Sequence, residues 1–183
     1  MKTFVFTQEN IQLAKEALAK YPKERGKSAV MELLWIAQRQ NQNWIPEAAI
    51  VYIADFLEIP NVRVFELATF YSMYNLKPVG KYFLQVCGTT PCMLMGAEDI
   101  MSAIQKELKI QNGEITEDKL FSLLEVECLG ACSNGPMIQI NDDYYEDLTP
   151  EIMKEIIANL KAGKAIKIGS QKGRKSAETK ELL

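Results

Sequence analysis

Histidine is absent from this chain, so cysteine thiolate is the soft metal ligand left to look for. Long apolar runs are absent too. None approaches the roughly 18 residues of a membrane span, and the best candidate, AAIVYIADFL at 48–57, is interrupted by Asp55 and reads as a buried helix. The opening MKTFVFTQEN lacks a secretory apolar core and a small-residue cleavage site, and it is neither Arg-rich nor free of acids. No signal or transit peptide is expected, and a reducing, cytoplasmic compartment is. There, paired cysteines more often serve metal or redox chemistry than structural disulfides. A Gly-rich dinucleotide fingerprint is also missing, which argues against an NAD or flavin site built from this chain.

What is present is an ordinary globular composition: 183 residues, 48% apolar and 25% charged, enough for one or two cores without disulfide support. The net charge of −3 conceals an asymmetry. Residues 1–80 are near neutral, 81–160 carry five Lys/Arg against fourteen Asp/Glu, and 161–183 carry seven against two. An acidic central region is a poor nucleic-acid surface, because phosphate binding needs a basic face. The basic end reads as a solvated tail.

Residues 7–77 read as helices. Thr7 caps a helix through IQLAKEALAKY, whose Ile11, Ala14, Leu18 and Tyr21 share one face and which Pro22 ends. A second helix runs from about Ser28 through VMELLWIAQRQ to the Asn41/Asn43 pair, a third begins at Pro46 and stops before Pro60, and a short fourth is VRVFELA. Trp35, Trp44, Phe56, Phe65, Phe70 and Tyr71 are expected in their core. At Lys77-Pro78-Val79-Gly80 the pattern changes to strand KYFLQV, a helix over MLMGAEDIMSAIQKEL, a turn at Gly113, strand 119–127, and short strands MIQI and YYED. The last helix carries an N-cap at Thr149, Pro150 in its first turn, a Leu148/Met153 staple and Gly163 at its close. From about Ala165 the sequence lacks periodicity and is expected to be extended or mobile.

The four cysteines form two pairs, CGTTPC at 87–92 and CLGAC at 128–132, separated by the 35 residues 93–127. Each pair begins where an apolar strand ends, among residues that permit unusual backbone angles: Gly88 and Pro91, then Gly130, Asn134, Gly135 and Pro136. One helix and one strand between the pairs suffice to bring two strand ends of one sheet together. Four chemistries compete for such a site. Structural zinc takes four thiolates but ordinarily replaces a missing core. Paired disulfides conflict with the compartment. A dithiol oxidoreductase usually uses C-x2-C and leaves the second pair idle. A 2Fe–2S cluster needs four thiolates, two per iron, and fits loops whose backbone N–H groups turn toward sulfur. Thr89 and Thr90 offer further donors, and a helix N-terminus near Cys92 offsets negative charge. A Rieske-type centre is excluded, because it needs two histidines. The cluster is the favoured reading. Its acidic surroundings would hold its potential low.

VCGTTPC and ECLGACSNGP, together with SAVMELLWIAQRQNQNWIPEAA, ELATFYSMYNLKPVGKY and TPEIMKEIIANL, resemble the thioredoxin-like 2Fe–2S ferredoxins. Within them they look most like the family of 2Fe–2S subunits in the NADH dehydrogenase module of bacterial NADH:quinone oxidoreductase, respiratory complex I. The likeness spans about residues 5–165. It implies that Cys87, Cys92, Cys128 and Cys132 ligate one 2Fe–2S cluster, which is the whole cofactor and metal set of the chain, with no catalytic residue of its own. It also implies a partner: the flavoprotein that binds FMN and NADH, alongside other peripheral-arm subunits. The cluster would be a side station holding single electrons near the flavin, on the cytoplasmic face of the bacterial inner membrane, without membrane insertion. Similar subunits serve NAD-linked formate dehydrogenases and hydrogenases, and a zinc-stabilised adaptor without redox function is the rival from another class.

The expected fold is α+β, with helices and sheet in layers. A helical bundle over 1–78 precedes a thioredoxin-like 2Fe–2S domain over 79–163, and 164–183 is a basic tail.

Overall fold

A computed structural model describes residues 3–175. The chain divides into two compact units, Met1–Val79 and Gly80–Leu183.

The first unit is all helical. α1 (Gln8–Ala19) starts at Thr7, whose hydroxyl accepts the Asn10 N–H at 3.2 Å. After Pro22 a 3₁₀ segment, Lys23–Ala29, precedes α2 (Val30–Gln40), so the second helix begins two residues later than the pattern suggests. Arg25 leaves helical geometry (φ −117°), and one continuous α-helix therefore cannot run through the segment. α3 (Glu47–Leu57) and α4 (Asn61–Phe70) complete the bundle. The core is mainly aliphatic: Leu33, Leu34, Ile45, Ile50, Ile53 and Val64 are fully buried. Trp35, Phe56, Phe65 and Tyr71 pack against it only partly buried, and Phe70 is 79% exposed, contrary to its expected place inside. The reason is helical phase. At about 100° per residue, Phe70 lies on the face opposite Ala68, which is the position that points inward. Gln38, buried at the end of α2, donates to the Met73 carbonyl (3.1 Å) and accepts the Asn75 N–H (2.7 Å), which fixes the 71–76 segment.

The second unit holds one sheet. β1 (Tyr82–Cys87) and β2 (Phe121–Val126) run parallel; β3 (Ile138–Ile140) is antiparallel to β1, and β4 (Asp143–Glu146) is antiparallel to β3. With the two-residue β5 (Gly169–Ser170) at the far edge, the order is β2-β1-β3-β4-β5. A short helix, α5 (Thr90–Leu94), follows β1. α6 (Ala97–Leu108) and α7 (Pro150–Lys161) pack beside one another against the face carrying Leu84, Val86, Phe121, Leu123, Ile138 and Ile140. Those residues alternate along each strand, as the two-residue period of a half-covered sheet requires. α7 has the expected signals: the Thr149 hydroxyl accepts the Ile152 N–H (3.3 Å), Leu148 and Met153 are both buried, and Gly163 takes φ +67°.

Two expectations are corrected here. The single helix over 93–108 is broken at Gly96, whose φ of +101° no continuing α-helix tolerates, so that α5 and α6 are separate. Cys92 therefore lies inside the first turn of a short helix rather than ahead of one. The segment after α7 is not a loose end over its described part, because β5 pairs in parallel with β4.

Candidate metal centre

β1 and β2 are parallel neighbours with Cys87 opposite Val126. Parallel strands finish at the same edge of a sheet, about 4.8 Å apart. The two cysteine loops therefore leave the sheet side by side. Cys87 is the last residue of β1, and Cys92 sits in α5, where Met93 N–H donates to the Thr89 carbonyl (2.9 Å). Both are 1% exposed. Cys128 and Cys132 follow β2 and are exposed, Cys132 opening a short 3₁₀ turn to Asn134. The next peptide bond but one, Gly135–Pro136, is cis.

The geometry joins the thiols in two pairs. The Sγ atoms of Cys128 and Cys132 are 3.5 Å apart. Cys87 and Cys92 share one buried cluster with Ala97 and Met137, and the Thr89 hydroxyl lies 3.4 Å from Cys87 Sγ. Gly130 N–H donates to Cys128 Sγ at 3.4 Å, with Gly130 at φ +85°. All four thiols are free of disulfides.

These contacts divide the thiols by acidity. Burial pushes the Cys92 thiol up to about 12, and the hydrogen bond with Cys87 adds to the shift. Burial works the same way on Cys87, but bonds from Thr89, the Leu129 backbone and Cys92 outweigh it and bring that thiol below its ordinary value. The Gly130 N–H, then Cys132 and Thr89, lower Cys128; its bond to Cys132 raises the latter. Within each pair one thiol is thus held below its ordinary value and the other above it, and a metal that takes both as thiolates displaces their protons.

Among the described residues no group of three or more His, Cys, Asp or Glu side chains is already placed to hold a metal ion. Two thiolates on one tetrahedral metal lie about 3.8 Å apart when each metal–sulfur bond is about 2.3 Å, close to the 3.5 Å of Cys128 and Cys132. The second loop supplies such a pair, and sulfur-only donors with the Gly130 N–H aimed at Cys128 are of the kind that suits an iron–sulfur cluster.

Of the residues around the thiols, Thr89 was legible in the sequence. Met137, buried beneath the pairs, and Tyr144, whose hydroxyl donates to the Leu129 carbonyl (2.8 Å), were not. Of the two threonines in the first loop, Thr89 is the one whose hydroxyl meets sulfur; Thr90 opens α5.

A parallel strand pair that presents two cysteine loops, backed by two helices, marks a domain with a candidate sulfur-ligand site. The chain belongs to the thioredoxin-like [2Fe-2S] ferredoxin family, whose model matches residues 14–161. It is 55% identical over 158 residues to the E-type subunit of NADH-quinone oxidoreductase from Rickettsia bellii, covering 86% of this chain and 95% of that one. It is 48% identical over 175 residues to the mitochondrial NADH dehydrogenase [ubiquinone] flavoprotein 2 of Dictyostelium discoideum, covering 96% of this chain and 71% of that one. Among solved structures, an NAD+-reducing [NiFe]-hydrogenase in its air-oxidised state superposes with a TM-score of 0.62 at 18% identity, over 71% of this chain and 23% of the hydrogenase chain, a likeness of fold alone.

Proposed function

We propose that Cys87, Cys92, Cys128 and Cys132 hold one 2Fe–2S cluster and that the chain is the corresponding E-type component of an NADH:quinone oxidoreductase. There it exchanges single electrons with the FMN of a partner flavoprotein, which also binds NADH. The observation that supports this most is the side-by-side exit of the two cysteine loops from the parallel strands β1 and β2, with the Sγ atoms of Cys128 and Cys132 3.5 Å apart. Relatives that share more than half their residues and nearly their whole length with this chain, and are named for that complex, supply the setting.

When bound, the cluster supplies one-electron exchange without a proton donor or a substrate pocket. The chain's own residues do the rest. Cys87 and Cys92, both buried, keep one side dry, while Met137 and Ala97 close the floor. Gly130 N–H and the Thr89 hydroxyl place positive dipole ends at sulfur and favour the thiolate forms. Cys128 and Cys132 face outward, and α5 beside them exposes Met93 and Leu94, with Met95 just after it. That is the side offered to an electron donor. No helix of the described residues is long and apolar enough to cross a membrane. The same reading puts the chain at the periphery of a membrane-bound complex, on the cytoplasmic face of the inner membrane.

Anaerobic purification tests the reading. The protein is expected to be red-brown, with two irons and two sulfides per chain and an EPR signal on reduction. A Cys128→Ser variant should lose or distort that signal, and a flavin-containing partner should co-purify. A colourless protein with one zinc per chain would overturn the reading. A partner carrying hydrogenase or formate dehydrogenase activity would reassign the complex.

A further inference from the structure

The chain after α7 turns back onto the sheet. β5 pairs with β4, Gly169 opposite Tyr145 and Ser170 opposite Glu146, and Gln171 N–H donates to the Glu146 carbonyl (3.0 Å). At the end of this return Arg174 grips Asp147: its Nε lies 2.7 Å from Oδ1 and its Nη2 meets the same oxygen, while the Ser170 hydroxyl donates to Oδ2 at 2.5 Å. The Asp147 side chain is 1% exposed. A carboxylate so deeply buried keeps its charge only with such partners.

Asp147 is also tied to the second cysteine loop. Its N–H donates to the Asn134 carbonyl (2.8 Å), and the buried Asn134 side chain donates to Glu146 (2.6 Å). One residue further on, Leu148 N–H donates to the Pro136 carbonyl (3.1 Å). On the other side of Cys132, Tyr144 holds Leu129. β4 and the two residues after it therefore grip the cysteine loop before and after Cys132, and the return grips β4. Arg174 and Lys172 line a cavity of about 420 Å³ together with Asp147, Met95 and the Gly135-Pro136 pair that follows the second cysteine loop.

We propose that the C-terminal return 166–174, acting through Arg174 on Asp147, is a positioning element for the Cys128/Cys132 side of the metal centre. Arg174 acts at a distance from the sulfurs. It fixes Asp147, Asp147 fixes Asn134, and the loop that presents Cys132 is held in register with Cys128. The proposal rests on the cluster reading above for its functional meaning, but its mechanical part is a property of the chain without metal.

The test compares wild type with Arg174→Ala, Arg174→Lys and Ser170→Ala. In the metal-free full chain, hydrogen exchange at Gly130, Asn134 and Asp147 should quicken at least about tenfold in Arg174→Ala, the scale set by losing charge-assisted hydrogen bonds. Arg174→Lys should recover part of this, because a lysine keeps the charge but not the fork. In the reconstituted chain the same order should govern the rate of cluster loss to a chelator, and the EPR line of Arg174→Ala should broaden. Should Arg174→Ala not fold, Ser170→Ala, which leaves the ion pair in place, should show the same changes a few-fold smaller. Exchange that quickens only in 166–174, with loop amides, chelator rate and EPR line unchanged, overturns the proposal and makes the return a mere cover for the sheet edge. A wild-type chain that takes up no cluster overturns instead the function proposed above, and the metal-free exchange still decides the mechanical coupling.

Discussion

The Cβ that Gly135 lacks would stand 3.4 Å from Sγ of Cys92 and 3.6 Å from its Cα, which marks the place where the two cysteine loops touch. The backbone of Gly135 (φ −66°, ψ 159°) is open to any residue. A methyl group there would meet Cys92 at van der Waals distance, so neither conformation nor space forbids alanine, while anything larger would press on the sulfur.

Gly135→Ala should therefore fold, at a cost of about 1 kcal/mol or less, with its methyl group resting against Cys92 Sγ. The expected readout is a shifted EPR spectrum at nearly unchanged Tm. Gly135→Val should abolish cluster uptake. A normal spectrum in the valine variant would show that the loops have room to spare.

Gly80 is a different case. A Cβ on it would fall 2.5 Å from the Phe121 carbonyl carbon, and its N–H donates to the Ser122 hydroxyl (2.5 Å). The obstacle is the backbone of β2, which cannot swing away as a side chain would. Gly80→Ala should cost about 1–3 kcal/mol by overpacking, measured as a drop in the denaturation midpoint. An unchanged midpoint would contradict the close approach of β2.

Tyr74 makes the stability of the first unit depend on alkaline pH. Its hydroxyl donates to the Met31 carbonyl (2.9 Å), and burial, aided by Tyr71, pushes it up to about 12 from an ordinary value of 10.0. The folded state thus keeps the proton after the unfolded chain has released it. The stabilisation is full below about pH 10 and is lost as pH rises toward about 12. Tyr74→Phe should cost about 1 kcal/mol at neutral pH and remove this part of the alkaline loss. Parallel stability curves for the two proteins from neutral to alkaline pH would refute it.

Asp147 acts at the opposite end of the scale. Burial alone would raise its carboxyl, but hydrogen bonds from Arg174 and Ser170, with the charges of Arg174 and Lys172, hold it below its ordinary value of 3.8. A lowered carboxyl binds its proton less readily folded than unfolded. Its contribution is complete above about pH 4 and disappears as pH falls through the lower folded value. Urea unfolding between pH 6 and 3 should show this acid loss in wild type and a shallower one in Asp147→Asn. Equal slopes would dismiss the ion pair as a source of stability.

Much of the fold was legible because it is local. Thr149, Pro150, Leu148 and Met153 announce α7 within a few residues, and the apolar runs ending at Cys87 and Val126 announce the strands that carry the loops. What the pattern could not carry depends on context. Gly96 is tolerable within a helix until its φ turns positive. β5 is two residues long, too short to show alternation. Phe70 looks like core by composition and is outside by phase. Arg174 and Asp147 lie 27 residues apart and meet only because β5 runs beside β4. At the site, the two cysteine pairs and Thr89 could be read from spacing. Tyr144 could not, because its nearness to Leu129 follows from β3 and β4 lying in order beyond β1.

The parallel union of β1 with β2 has one more consequence, which concerns timing. The two cysteine loops come side by side only once residues 93–120 have crossed over and β1 and β2 have paired. A lesion along that seam would part the loops with every cysteine intact.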